Sequence, residues 1–211
     1  MATPRKPRQE RSRATVTAII EAGFICMARQ GVANTTARAI ADTAGIGVGS
    51  LYEYFANKEA VFEAMAQRMV DDTVAFLKEI GPQFLTQDIR GAIRLTFERF
   101  GDFLRANDGR YLMAAQQLMD MTSPAHLEAI NRALMDLVMQ YLLVHPEYLR
   151  MPDLRAFAYV FINGGILLVI RNLSSRKPDI SFEQLGATYA DIFGAYFDVP
   201  PAVRGEATAQ D

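Results

Sequence analysis

The residues best suited to chemistry cluster early in the chain, and they suit a polyanion rather than a catalytic step. Between positions 35 and 58 stand Thr35, Thr36, Arg38, the run Gly47-Val48-Gly49-Ser50, then Tyr52, Tyr54 and Lys58. Hydroxyls, cations and backbone N–H groups left open by small residues are the donors that hold phosphate oxygens. Groupings for catalysis are missing from the sequence. His126 and His145 are isolated, with no Cys or carboxylate at zinc-like spacing. There is no phosphate-cradling glycine loop, nucleophile elbow or metal cluster. Arg90, Arg94, Glu98 and Asp102 form a ladder at helical spacing that reads as a solvated face. The expectation is no catalytic residue, no metal ligand and no cofactor.

The elements that must position this cluster are two short helices. Thr35 or Thr36 is a suitable N-cap for the first, whose inner face carries Ala37, Ile40, Ala41 and Ala44. Gly45-Ile46-Gly47 breaks the chain, and a second short helix runs from about Val48 to Tyr54. Two short helices meeting at a glycine-containing turn make a helix-turn-helix, here about 35–54. In such a unit the first helix crosses the DNA backbone and the second enters the major groove. Gly47, Gly49 and Ser50 let the backbone approach a duplex, and free N–H groups at a helix start suit phosphate. Tyr52 and Tyr54 add hydroxyls and Lys58 a point charge. The basic residues Arg5 to Arg13 are read either as tracking a neighbouring groove or as a solubilising tail.

The periodicity of the rest predicts an all-α protein of about nine helices. The first starts near Ser12, carries Val16, Ile19, Ile20, Gly23, Phe24 and Met27 on one stripe, and ends at Gly31. Cys26 lies among these apolar residues and reads as a small core residue. As the single cysteine it allows no intramolecular disulfide. The fourth helix follows Asn57 and stops at Gly81-Pro82, and five more are expected near 86–105, 108–120, 123–144, 152–175 and 181–197. Ser181 with Glu183 and Gln184 suggests a cap for the last. The first ten residues and those after Pro200 are expected to be frayed.

The run Gly31 to Phe62 contains Thr35-Thr36, Ile40-Ala41, Ala44-Gly45, Gly49-Ser50-Leu51-Tyr52, Tyr54-Phe55 and Asn57-Lys58-Glu59. It resembles the DNA-binding domain of tetracycline-repressor-type regulators. The resemblance covers about 50 residues; the remaining chain fits the family in helix count and length. Many members carry a larger polar residue where this chain has Gly47 or Gly49, so base-edge contacts are expected from few side chains. The resemblance implies residues 1–56 as a three-helix DNA-binding domain, 57–200 as a ligand-binding and dimerisation domain, and 201–211 as a disordered tail. It also implies a mechanism: ligand in the regulatory core shifts helix four, alters the spacing of two recognition helices, and releases a near-palindromic operator. An activator or co-repressor-dependent regulator, an all-helical enzyme and an architectural DNA binder stand as alternatives.

Charge and the C-terminal half agree with a division of labour. Residues 1–58 hold eight Lys/Arg against four acids, a net +4, while the remainder carries a net −6. One end therefore suits a polyanion and the other does not. No secretory signal is evident, and the longest apolar run, Ala158 to Ile170, reads as too short to cross a bilayer. A cytoplasmic protein without a membrane partner is expected. In the last helix Phe182, Leu185, Tyr189, Ile192, Phe193 and Tyr196 approach an a/d seam, the pattern that packs against partner helices. With Phe161, Gly164 and Leu168 of the preceding helix they form the expected homodimer interface, an intrachain core stripe being the alternative. The resemblance implies a four-helix bundle of the last two helices of each subunit. It also implies a small-molecule cavity among helices four to eight. Phe103, Met113, Gln116, Gln117, Met139 and Asn163 are the candidate contacts to a mostly apolar ligand.

Overall fold

The computed structural model describes residues 6–118, 124–150, 153–175 and 177–198. Nine α-helices and no strand are found among them: α1 (Lys6–Gln30), α2 (Ala37–Thr43), α3 (Val48–Tyr52), α4 (Lys58–Phe84), α5 (Ile89–Arg105), α6 (Arg110–Leu118), α7 (Pro124–Val144), α8 (Leu154–Ser174) and α9 (Phe182–Asp198). Short 3₁₀ segments at Asn107–Gly109 and Pro146–Arg150 precede α6 and follow α7. The all-α expectation holds.

Two local expectations are corrected. Helix α1 begins at Lys6 rather than near Ser12, because Pro7 falls in the first turn, where its missing N–H breaks no intrahelical bond. Residues 6–10 are therefore helical, whereas the tail 201–211 lies outside the described residues. Helix α4 runs through Pro82 to Phe84 instead of stopping before it. The proline sits so near the end that a single i→i−4 bond is lost, and Leu85 still donates to the Gly81 carbonyl at 3.0 Å.

The chain forms two compact units. The first comprises residues 1–69 and 106–122, the second residues 70–105 and 123–211. The division falls inside α4 rather than at residue 56, and α6 belongs to the first unit. This is a division by packing, whereas the sequence-based one concerned what each part does.

The first unit closes over Ile19, Ala22, Phe24, Cys26 and Met27 of α1, Ile40 and Ala41 of α2, Leu51 of α3, Val61, Phe62 and Met65 of α4, and Ala114 of α6. Gly23 permits the α1–α4 approach, since a Cβ there would lie 2.5 Å from Met65 Sδ. In the second unit one core joins Phe76, Leu77, Ile80 and Phe84 of α4 to Ala92, Leu137 and Tyr141. Another joins Ile93 and Phe97 of α5 to Leu185, Tyr189 and Ala190 of α9. Gly186, Ala190 and Gly194 recur every four residues along α9, and a Cβ at Gly186 would stand 2.5 Å from the Phe97 Cβ. Ion pairs Arg90–Asp198 (2.5 Å) and Arg94–Asp191 (2.7 Å) flank the same crossing. The arginines of the expected solvated ladder thus pair with α9.

Helix α8 extends beyond the apolar run Ala158 to Ile170 at both ends. At 21 residues it is long and apolar enough, by length and composition, to cross a bilayer. Two contacts tie it to neighbouring helices, while only 17% of its apolar window is buried. Asn163 accepts from Asn131 of α7 at 3.0 Å, and the Tyr189 hydroxyl of α9 donates to the Phe161 carbonyl. A helix that is apolar all round is one meant for burial on more than one side.

Candidate nucleic-acid interface

The helix-turn-helix is assembled by caps. Thr36 is the N-cap of α2, and its Oγ1 accepts the Ala39 N–H at 3.1 Å. At the other end Gly45 takes φ +72°, and the N–H groups of Gly45 and Ile46 return to the carbonyls of Asp42 (3.2 Å) and Ala41 (3.0 Å). That paired bonding is the Schellman motif, which needs a left-handed residue and so favours glycine. Ile46 then packs on the first core, which turns the chain into α3. Gly47 caps α3 in extended conformation, and Asn57 caps α4, its Oδ1 accepting from Ala60 N at 2.8 Å.

These caps sort the predicted DNA-facing residues. Gly47, Gly49, Ser50, Tyr52 and Tyr54 are exposed, as are Thr36 and Arg38. Tyr52 and Tyr54 keep 53% and 38% of their surface open, large values for tyrosines on elements whose other side, through Leu51, is wholly buried. No atom lies within 4 Å of a Cβ placed on Gly47 or Gly49, so that face of α3 is open.

Three of the predicted residues are placed differently. Thr35 is completely buried and donates its hydroxyl to the Gly31 carbonyl at 2.8 Å, so it supports the turn instead of offering a surface donor. Val48 is half-buried against the first core. Lys58 folds back: its Nζ donates to the Thr35 carbonyl at 3.4 Å and lies 5.9 Å from the Phe62 ring centroid. Spacing alone marked Thr35 and Thr36 as equivalent, but an N-cap is a single position and the neighbour must point inward.

The candidate ligand residues are divided between the two units. Met113, Gln116 and Gln117 lie on α6 in the first unit, while Phe103, Met139 and Asn163 belong to the second. Met113 and Gln116 are exposed, and Gln117 is engaged by the Val32 N–H at 2.6 Å. Phe103 stacks on Phe76 and Phe100 at centroid distances of 5.4 and 5.7 Å. Met139 is exposed, and Asn163 bonds both Asn131 and the Tyr159 carbonyl.

The expected dimer seam divides as well. Phe182, Leu185 and Tyr189 pack inside the chain against Ile93 and Phe97, as does Phe161, so the intrachain reading holds for them. Gly164 faces Tyr189, whose hydroxyl is 3.7 Å from the position of its Cβ. Burial raises the Tyr189 phenol above its ordinary value. Leu168, Ile192 and Tyr196 are exposed. Also exposed on α8 are Val160 (58%) and two apolar residues that sequence reading did not assign to the seam, Tyr159 (67%) and Leu167 (65%). The signal for these was the apolar character of α8 all round.

No group of three or more His, Cys, Asp or Glu side chains that could hold a metal occurs among the described residues. Residues 19–65 match the family model described as bacterial regulatory proteins, tetR family. The fold is similar to that of the fatty acid degradation regulator FadR from Bacillus halodurans, with TM-score 0.62 and 16% identity over 84% of this chain and 93% of that one. It is similar also to SmeT, repressor of the Stenotrophomonas maltophilia multidrug efflux pump SmeDEF (TM-score 0.61, 19% identity, 86% and 89% covered). A third is FadR from Bacillus subtilis in complex with stearoyl-CoA (TM-score 0.54, 16% identity, 84% and 96% covered).

Proposed function

We propose that this chain, a DNA-binding regulator of the tetR family and not an enzyme, is a homodimeric repressor that a small, mostly apolar molecule releases from a near-palindromic operator. The observation that carries the DNA-reading half is the open face of α3. The five-residue helix presents Gly49, Ser50 and Tyr52, with its cap Gly47 before it and Tyr54 after it also exposed, while Leu51 is buried in the core. Small residues let the backbone come close to the duplex, and the hydroxyls of Ser50, Tyr52 and Tyr54 supply donors. Thr36 and Arg38 add to this set from α2.

Dimerisation is supported by the exposed apolar residues of α8 and α9: Tyr159, Val160, Leu167, Leu168, Ile192 and Tyr196. Such a surface in water favours burial against a second copy. Two half-sites about one helical turn apart would then be read by one dimer. The apolar character of the ligand is supported by the Phe- and Tyr-rich second unit, where Phe76, Phe100 and Phe103 stack and Asn131–Asn163 is a polar pair between helices. FadR from Bacillus subtilis, of similar fold, was crystallised with an acyl-CoA.

Selection of genomic fragments by the purified protein, followed by titration of the recovered duplex, tests this reading. Two protomers per duplex and loss of binding on addition of a long-chain acyl compound are expected. Sequence-independent binding, or a one-to-one complex insensitive to every apolar compound tried, refutes the repressor proposal.

A further inference from the structure

The turn between α1 and α2 is held by residues distant in the chain. Gly31 takes φ +78° and donates to the Met27 carbonyl at 2.9 Å, which ends α1. The next residue, Val32, donates its N–H to Gln117 Oε1 at 2.6 Å, a bond that spans 85 residues. Three residues further on, the Thr35 carbonyl accepts from Lys58 and the Thr35 hydroxyl donates back to Gly31. Thr36 then caps α2. The six residues 31–36 thus set how the helix-turn-helix leaves α1.

Helix α6 is fastened to α1 and to the first core. Arg110 pairs with Glu21 at 3.6 Å, Tyr111 lies 5.1 Å from Phe24 between ring centroids, and Ala114 is buried in the first core. Those three contacts lie one helical turn or less apart, and Gln117 follows on the same face one turn later. Its bond therefore does not depend on a freely swinging side chain. A half-buried N–H in a turn has no intrahelical partner available, so losing the side-chain acceptor leaves a donor unsatisfied.

We infer that Gln117 is a positioning residue for operator binding: its carboxamide oxygen fixes the Val32 amide and, through the 31–36 turn, the angle at which α2 and α3 are presented. This assigns Gln117 to the DNA-reading unit rather than to ligand contact. The inference rests on the DNA-binding reading above.

The test compares Gln117→Leu, which removes the acceptor at similar size, with Gln117→Glu, which keeps an oxygen at the same reach. The probe is a duplex recovered by wild-type protein from a random-sequence library. Three readouts are needed: dissociation constant, melting temperature, and hydrogen exchange of the Val32 amide by NMR. Gln117→Leu is expected to release the Val32 amide to fast exchange and to raise Kd about ten-fold. Its helical content should be unchanged, and Gln117→Glu should restore both slow exchange and affinity. Wild-type Kd in Gln117→Leu with a fast-exchanging Val32 overturns the positioning role. A still-protected Val32 amide overturns the bond itself. If Gln117→Leu fails to fold, Gln117→Asn takes its place, since its oxygen falls one methylene short of Val32, and the same two results overturn the proposal. Should the wild type select no duplex, the DNA-binding reading fails instead, and the exchange experiment still reports on the bond.

Discussion

Gly49 offers a substitution whose effects on stability and on DNA binding should have opposite sign. It lies within α3, where glycine costs about 0.5–1 kcal/mol relative to alanine through lost backbone entropy. Its φ is not positive, and no atom stands within 4 Å of an added Cβ. Gly49→Ala should therefore stabilise the free protein by about 0.5–1 kcal/mol. For a chain of this size that raises the melting temperature by about 1–4 °C. The same methyl group projects from the open face of α3, where the backbone is proposed to approach the duplex. A displacement there should cost about 1.4 kcal/mol or more of binding, a ten-fold rise in Kd. Circular dichroism melts and fluorescence anisotropy on a selected duplex measure the two quantities. Gly186→Ala is the internal control, because its Cβ would stand 2.5 Å from the Phe97 Cβ and 2.7 Å from Cγ. Phe97 is buried and in ring contact with Phe182 and Tyr189, so relief by movement is limited. That variant should lose about 1–3 kcal/mol of stability. If Gly49→Ala binds DNA as the wild type does, Gly49 is not at the interface. If it melts lower, the open-space argument is wrong.

Leu185→Glu and Ile192→Glu should behave differently although both were expected at one interface. Leu185 is buried against α5 and should unfold the second unit, whereas Ile192, 62% exposed, should leave the helical content intact and yield monomers in sedimentation. Burial raises the phenols of Tyr141 and Tyr189 above the ordinary value near 10, so the unfolded chain ionises first. Stability contributed by those neutral phenols is present below about pH 10 and falls above it by up to about 1.4 kcal/mol per pH unit for each. Denaturant titrations at rising alkaline pH should show this slope, and Tyr141→Phe should reduce it. Thr36→Ala removes the α2 cap and should cost about 1 kcal/mol. Thr35→Val, which leaves the Gly31 carbonyl without its buried donor, should cost about as much in the same melt.

Much of the local structure was legible because its signals span only a few residues. Gly31 and Gly45 take the positive φ that their positions demanded, and Thr36, Asn57 and Ser181 cap the helices that follow them. Ser181 and Gln184 exchange both bonds of a capping box, as their three-residue spacing implies. Cys26 is a buried core residue, its Sγ 3.2 Å from Thr43 Oγ1. Helix ends were less legible where a proline fell in a terminal turn. Pro7 precedes the expected start of α1 and Pro82 marks the expected stop of α4, yet both lie inside helices because a missing N–H there breaks little.

Local sequence determined the helices, the caps, the turn between α2 and α3, and through them the resemblance of the N-terminal segment to tetR-family DNA-binding domains. Each depends on residues within one or two turns of one another, where backbone sterics and hydrogen bonding decide. Tertiary structure decided which apolar stripe meets which. The stripe of α9 could have served a partner or the chain's own core, since the 3.6-residue period records that a face is buried and not what covers it. The small residues Gly186, Ala190 and Gly194 admit α5 so closely that Leu185 and Tyr189 are consumed within the chain, leaving Ile192 and Tyr196 outside. Likewise no local rule connects Gln117 to Val32 or turns Lys58 back to Thr35. Those bonds join positions that come together once the cores of α1, α4 and α6 have packed, so their donors and acceptors are paired by geometry that spacing along the chain does not encode.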